Sequence, residues 1–130
     1  MLNELYVDKL SVFEWYDGIV FGLISSCDEM FFAILLAFDA DDGMRRYAIV
    51  PAADRDFSNV SSDDVDDLVT EAKNCAAGGL MYLTSDEPHA GKSLQLKVAS
   101  QEDQLAFTML EFPFIEGAVT SNAKARWFAQ

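Results

Sequence analysis

Residues 12–51 constrain the fold more than any other part of the chain, because they hold four short apolar runs separated by three polar turn sequences. The turn sequences are Asp17-Gly18, residues 26–29 (Ser-Cys-Asp-Glu) and residues 39–43 (Asp-Ala-Asp-Asp-Gly). Runs rich in Val, Ile, Phe and Tyr between such turns are typical of antiparallel strands joined by hairpins. This segment therefore predicts an antiparallel β-meander at the centre of a single core.

The third run, residues 31–38 (FFAILLAF), is apolar throughout and predicts a central strand that is covered on both faces. A buried helix would have the same composition, but a short run between two turn sequences favours a strand. Gly22, inside the second run, predicts a bulge or a close approach of two backbones. Residues 2–10 alternate at Leu5 and Val7, which leaves open whether they extend the first strand or pair at an edge.

Residues 61–77 carry the clearest helix pattern in the chain. Ser61 and Asp64 predict a variant capping box at the N-terminus, and Gly78-Gly79 predicts a left-handed stop at the C-terminus. The apolar residues between these signals recur with helical spacing and predict one buried stripe. The stripe consists of Val65, Leu68, Val69, Ala72, Cys75 and Ala76.

The pattern after this helix predicts further antiparallel strands. Residues 80–84 and 94–98 are predicted strands on either side of a loop at 85–91. Residues 104–112 fit a strand or a helix, and the neighbouring strand patterns favour a strand. Residues 120–130 begin with cap-like Ser and Asn and are rich in Ala, which predicts a short C-terminal helix.

We therefore predict an α+β fold in one compact domain, residues 1–130. It comprises the antiparallel meander of residues 12–51, an amphipathic acidic helix at about 61–77 packed on it, the further strands and the C-terminal helix. The chain is 51% hydrophobic, which provides a core without disulfides or a metal. Cys27 and Cys75 are expected to be reduced, buried thiols.

The net charge of −13 is unevenly distributed: residues 1–71 carry −12 and residues 72–130 carry −1. A field of this sign disfavours direct binding of nucleic acid or an anionic membrane and favours a basic protein surface. The N-terminus has no signal-peptide pattern, and the longest apolar run, residues 30–38, is shorter than the roughly 20 residues that span a bilayer. We therefore expect a cytoplasmic location and no membrane partner.

Two motifs and one histidine could carry chemistry, but both motifs depart from their patterns. Residues 86–93 (DEPHAGKS) end like a phosphate-binding loop, but Asp86 replaces the first glycine and a strand pattern follows where a helix is needed. Residues 39–43 suggest a calcium loop, but the glycine comes one position early and Val50 stands where an EF-hand has Glu. His89 is the one histidine in the chain, and we expect it to be solvent-exposed. We predict no catalytic, cofactor-binding or metal-ligating residues.

Carboxylates lie off the apolar stripe of the predicted helix and form a candidate partner-binding surface. An ordinary solvated face would also be acidic, but i,i+4 pairs such as Asp63 with Asp67 repel each other by a few tenths of a kcal/mol, and a cationic partner would relieve this repulsion. Trp15 and Tyr16, beside the Asp17-Gly18 turn, are either core aromatics or anchors at the rim of an interface. The acidic candidates are Asp63, Asp64, Asp66, Asp67 and Glu71 on the helix, with Asp39, Asp41 and Asp42 in a turn.

These features predict a non-enzymatic acidic protein-binding domain that inhibits or neutralises a basic protein. A nucleic-acid-binding protein is one partner of this kind. Immunity proteins against nuclease toxins and phage-encoded anti-defence inhibitors share this size and charge. Two alternatives stay open. One is a small-ligand-binding domain or small enzyme with a pocket lined by aromatic residues. The other is a subunit of a homo-oligomer.

Overall fold

A computed structural model of the chain describes residues 2–15, 19–38, 45–53, 56–60 and 64–109. These residues form eight strands and two helices. In chain order, the elements are β1 (Glu4–Tyr6), β2 (Lys9–Trp15), β3 (Ile19–Ser26), β4 (Glu29–Phe38), β5 (Arg45–Pro51), α1 (Val65–Gly78), β6 (Tyr82–Thr84), β7 (Ser93–Gln95), β8 (Lys97–Val98) and α2 (Gln101–Thr108).

The main sheet has six antiparallel strands in the order β2-β3-β4-β5-β6-β8. Strands β2 to β5 are consecutive in the chain, and each pairs with the next. The predicted meander and the α+β fold class are therefore confirmed. A second sheet pairs β1 with β7, with Leu5 opposite Leu94. Both alternatives left open for residues 2–10 are therefore realised in part: residues 4–6 pair in a second sheet, and residues 9 and 10 extend the predicted first strand as the start of β2.

Strand β4 is apolar after Glu29 because the main sheet is covered on both faces. Phe32 and Ile34 belong to the core on the helix side, together with Leu68 of α1 and Phe107 of α2. Phe31 belongs to the core on the opposite side, which the small sheet covers. The residues of that second core are Leu5, Val7, Ile19, Ile24, Phe31, Ala33, Tyr47, Ile49, Tyr82 and Leu94.

The turn between β3 and β4 has its two central residues, Cys27 and Asp28, in the left-handed region, with φ of 47° and 66°. This is the backbone that a two-residue hairpin needs to match the twist of its strands. The turn leaves Cys27 exposed, so the prediction of a buried thiol is wrong there. Cys75 is partly buried and packs against the helix-side core.

The prediction of a close approach at Gly22 is confirmed. A Cβ atom built on Gly22 would lie 2.9 Å from the carbonyl oxygen of Ser11 on the neighbouring strand β2. The pairing of β2 with β3 also shifts register between Val12 and Glu14, which marks a bulge in the same region.

Helix α1 begins and ends differently from the prediction. Its N-cap is Asp64, which makes no side-chain capping hydrogen bond, and Ser61 lies outside the described residues. At the C-terminus, Gly79 has φ −155° and ψ −151°, so the chain leaves the helix in an extended conformation and the predicted left-handed stop is wrong. The buried stripe is confirmed at Leu68, Val69, Ala72 and Ala76.

Helix α2 replaces the strand that was predicted from residue 104. Ser100 caps the helix: its Oγ accepts the N–H of Asp103 at 3.1 Å, and the Asp103 carboxylate accepts the N–H of Ser100 at 3.1 Å. This reciprocal capping box nucleates a helix where the apolar pattern alone is ambiguous. The predicted helix at 120–130 lies outside the described residues. Neither described helix is long and apolar enough to cross a membrane.

Candidate functional site

The predicted site residues fall into two groups in the structure. Asp64, Asp66, Asp67 and Glu71 lie on or beside the first two turns of α1. The structure does not describe the side chains of the remaining candidates. Asp39, Asp41, Asp42, Asp63 and Tyr16 lie outside the described residues, and Trp15 is described by its backbone alone.

The acidic face of α1, defined here by Asp66 and Asp67, faces solvent because the opposite stripe is buried against the sheet. Both side chains are exposed, whereas Asp64 and Glu71 are partly buried. Asp66 and Asp67 occupy the first turn, where the helix dipole favours negative charge, and no basic residue lies in the last turn. The helix therefore presents carboxylates outward at small cost to its own stability.

Helix α2 packs against α1 and repeats this charge pattern. Glu102 and Asp103 lie in its first turn, and its last turn holds no basic residue. The Asp103 carboxylate is used in the capping box, where it also accepts the Ser100 hydroxyl at 2.9 Å. Glu102 is exposed and adds to the negative charge of the helix layer.

The strand ends that flank the other predicted candidates meet at one end of the main sheet. Trp15 pairs with Ile19, Phe38 pairs with Arg45, and Thr84 pairs with Tyr47. The C-terminal ends of β2, β4 and β6 therefore lie at the same end of the sheet. Antiparallel pairing brings these strand ends together, although they are more than twenty residues apart in the chain.

A polar cluster that the sequence did not indicate lies at this end of the sheet. The hydroxyl of Tyr47 donates to the carbonyl oxygen of Ile19 at 2.7 Å and lies 3.4 Å from the Glu87 carboxylate. The same Glu87 oxygen accepts the N–H of Ile19 at 2.8 Å, and Arg45 Nη1 donates to the Ile19 carbonyl at 3.3 Å. Glu87 thereby ties the loop after β6 to the first residue of β3.

The Tyr47 side chain is fully buried, and burial raises its pKa above the ordinary 10.0. The positive charge of Arg45 lowers this pKa, and the negative charge of Glu87 raises it further. Tyr47 is therefore a neutral hydrogen-bond donor at physiological pH. Its hydrogen-bonding capacity is taken up inside the cluster, which supports a structural role.

His89 lies at the rim of this cluster, with Nε2 3.5 Å from Glu87 Oε1. Its side chain is 49% exposed, which confirms the prediction of a solvent-exposed imidazole. No sequence signal would have found the cluster, because its members come from β3, β5 and a loop that meet through the strand pairing alone.

The aromatic contacts of the described residues lie inside the helix-side core. The ring of Phe21 stacks on Phe32 with centroids 5.9 Å apart, Phe13 lies 5.5 Å from Phe21, and Phe57 meets Phe32 edge-on at 5.8 Å. These rings stabilise the sheet–helix interface, as aromatic pairs do in cores.

Within the described ranges, no group of three or more His, Cys, Asp or Glu side chains is placed to hold a metal ion. Comparisons of the chain with protein-family models, with curated proteins and with solved structures give no match.

Proposed function

We propose that this protein is a non-enzymatic acidic binding protein that inhibits or neutralises a basic protein partner, in the manner of immunity proteins or phage anti-defence inhibitors. The observation that carries the proposal is the outward presentation of Asp66 and Asp67 from a helix whose opposite stripe is buried. The net charge of −13 provides the long-range attraction. Such a field speeds association with a basic surface and repels nucleic acid and anionic membranes.

The proposed mechanism is occupation of the partner's cationic site. Where the partner binds nucleic acid, carboxylates at the start of α1 take the places of phosphate groups, because both present oxygen atoms with negative charge to Arg and Lys. Action in the cytoplasm, where an intracellular toxin or defence protein would be met, is part of the same proposal.

The test compares two variants that remove the same number of charges. Asp66→Asn/Asp67→Asn changes the acidic face of α1, and Asp28→Asn/Glu29→Gln changes the exposed turn between β3 and β4. Asn suits the left-handed backbone at position 28, so the control is expected to fold. Each full-length protein is immobilised and exposed to host lysate at low salt, and bound proteins are eluted with rising salt.

We expect a basic protein to be retained by the wild type and by the control, to elute steeply as salt rises, and to be lost from the α1 variant. Circular dichroism establishes that both variants remain folded. Equal retention by all three proteins would exclude the acidic face of α1 as the contact surface, and the absence of any salt-sensitive basic protein would contradict the proposed function.

A further inference from the structure

Two exposed apolar side chains lie on one face of α2. Leu105 is 60% exposed and Met109, which caps the C-terminus of the helix, is 70% exposed. Positions four apart are neighbours on a helix surface, so the two side chains form one apolar strip. Phe107 points the other way and is fully buried in the helix-side core. The strip is therefore on the outer face of the helix layer.

This strip differs from the other exposed apolar residues of the described chain. Tyr6, Val12, Leu80 and Val98 are between 37% and 48% exposed and lie on β1, β2, β8 or a connection. Single exposed apolar side chains are ordinary on a protein surface. A pair at i and i+4 is the spacing through which helices recognise one another.

Exposed carboxylates share the helix layer with the strip. Glu102 is exposed three residues before Leu105, on the same side of α2. The neighbouring helix α1 exposes Asp66 and Asp67, and neither helix has a basic residue in its last turn. An apolar strip on an acidic helix layer is complementary to an element that is apolar on one face and basic on its flanks.

We infer that α2 is the docking site for a basic amphipathic helix of the partner protein. This inference rests on the proposed function and specifies its contact: Leu105 and Met109 meet the apolar face of the partner helix, and the carboxylates of Glu102, Asp66 and Asp67 meet its Lys and Arg residues. Apolar burial provides most of the affinity, and charge provides the rate and the orientation of binding.

The test uses a fluorescent synthetic peptide of about 16 residues, with Leu on one face of the helix and Lys on the other. Its binding to the full-length protein is measured by fluorescence anisotropy at low and at physiological salt. The test variant is Leu105→Ser/Met109→Ser. The matched control is Tyr6→Ser/Val12→Ser, which removes one exposed apolar side chain from β1 and one from β2. Strand β2 forms the edge of the main sheet opposite β8, the strand that precedes α2.

We expect the test variant to bind the peptide about tenfold or more weakly than the wild type, and the control to bind within about twofold. Asp66→Asn/Asp67→Asn should weaken binding mainly at low salt. If the charge variant weakens binding and the test variant does not, the inference is overturned while the acidic surface of the proposed function stands.

If no variant changes binding, or if the wild type does not bind the peptide, α2 is not the docking site. Sedimentation adds a further outcome. A mass above the 14.4 kDa monomer that falls to the monomer in the Leu105→Ser/Met109→Ser variant would assign the strip to a second copy of this chain and overturn the inference.

Discussion

At the scale of single residues, the close backbone approach at Gly22 predicts that a larger side chain there destabilises the fold. A Cβ at this position would lie 2.9 Å from the Ser11 carbonyl oxygen, and backbone on the neighbouring strand yields less easily than the end of a side chain. We expect Gly22→Ala to lower the free energy of unfolding by about 1–3 kcal/mol, measured by urea denaturation.

Gly78→Ala is the matched control for this substitution. A Cβ at Gly78, the last residue of α1, would meet no atom within 4 Å. The same chemical change should therefore leave stability unchanged or raise it by up to about 1 kcal/mol, because Ala has the higher helix propensity. A smaller loss at Gly22 than at Gly78 would contradict the close approach of β2 and β3.

The buried hydroxyl of Tyr47 is expected to contribute measurably to the free energy of unfolding. Tyr47→Phe removes the donor to the Ile19 carbonyl at 2.7 Å, and we expect it to cost about 1–2 kcal/mol of the free energy of unfolding. Tyr6→Phe, on a side chain that is 48% exposed, should change stability by less than about 0.5 kcal/mol. Urea unfolding followed by circular dichroism compares the two, and equal losses would contradict the assigned role of the hydroxyl.

The raised pKa of Tyr47 also predicts a steeper loss of stability in alkali. Burial raises this pKa in the folded state, whereas the unfolded chain has the ordinary value of 10.0. Above pH 10.0 the unfolded state therefore releases a proton that the native state keeps, and the free energy of unfolding falls as pH rises, by up to about 1.4 kcal/mol per pH unit. Between about pH 9 and about pH 11, wild type should lose more stability than Tyr47→Phe. Identical pH profiles would contradict this.

At the scale of elements, the capping box of α2 is the feature that the hydrophobic pattern does not reveal. Residues 104–112 are compatible with alternation and with helical spacing, so their apolar residues do not decide between the two. Ser100 and Asp103 decide it locally, through two reciprocal hydrogen bonds. The Ser-x-x-Asp spacing from Ser100 to Asp103 is the local signal that indicates a helix here.

Ser100→Ala tests this account of α2. Loss of the cap should lower the free energy of unfolding by about 1 kcal/mol and speed amide hydrogen exchange in the first turn of the helix. Ser85→Ala, at an exposed position in the loop after β6, is the control and should change neither quantity. Unaltered exchange at residues 101–104 in Ser100→Ala would mean that packing of Phe107 alone maintains the helix.

At the scale of the whole molecule, a net charge of −13 on 130 residues destabilises the folded state by self-repulsion. Raising NaCl from about 10 mM to about 200 mM shortens the screening length and should raise the melting temperature by a few degrees. KCl should give the same rise, since screening depends on ionic strength. A melting temperature that falls over this range would show that attractive ion pairs outweigh the repulsion.

The amino-acid sequence by itself determined the meander, the stripe of α1 and the acidic character of the surface. These features depend on patterns that are local in the chain: continuous apolar runs in β3 and β4, turn residues at 26–29, and helical spacing from Leu68 to Ala76. A pattern of this kind indicates whether one face or both faces of an element are buried before any partner element is known.

The tertiary structure alone decided which elements meet. It separates β7 from β8 although their patterns are continuous, since β7 pairs with β1 and β8 pairs with β6. It also joins Tyr47, Glu87 and Ile19 in one cluster and packs α2 against α1. These contacts join residues far apart in the chain, and their free energy depends on packing and burial that no local pattern contains.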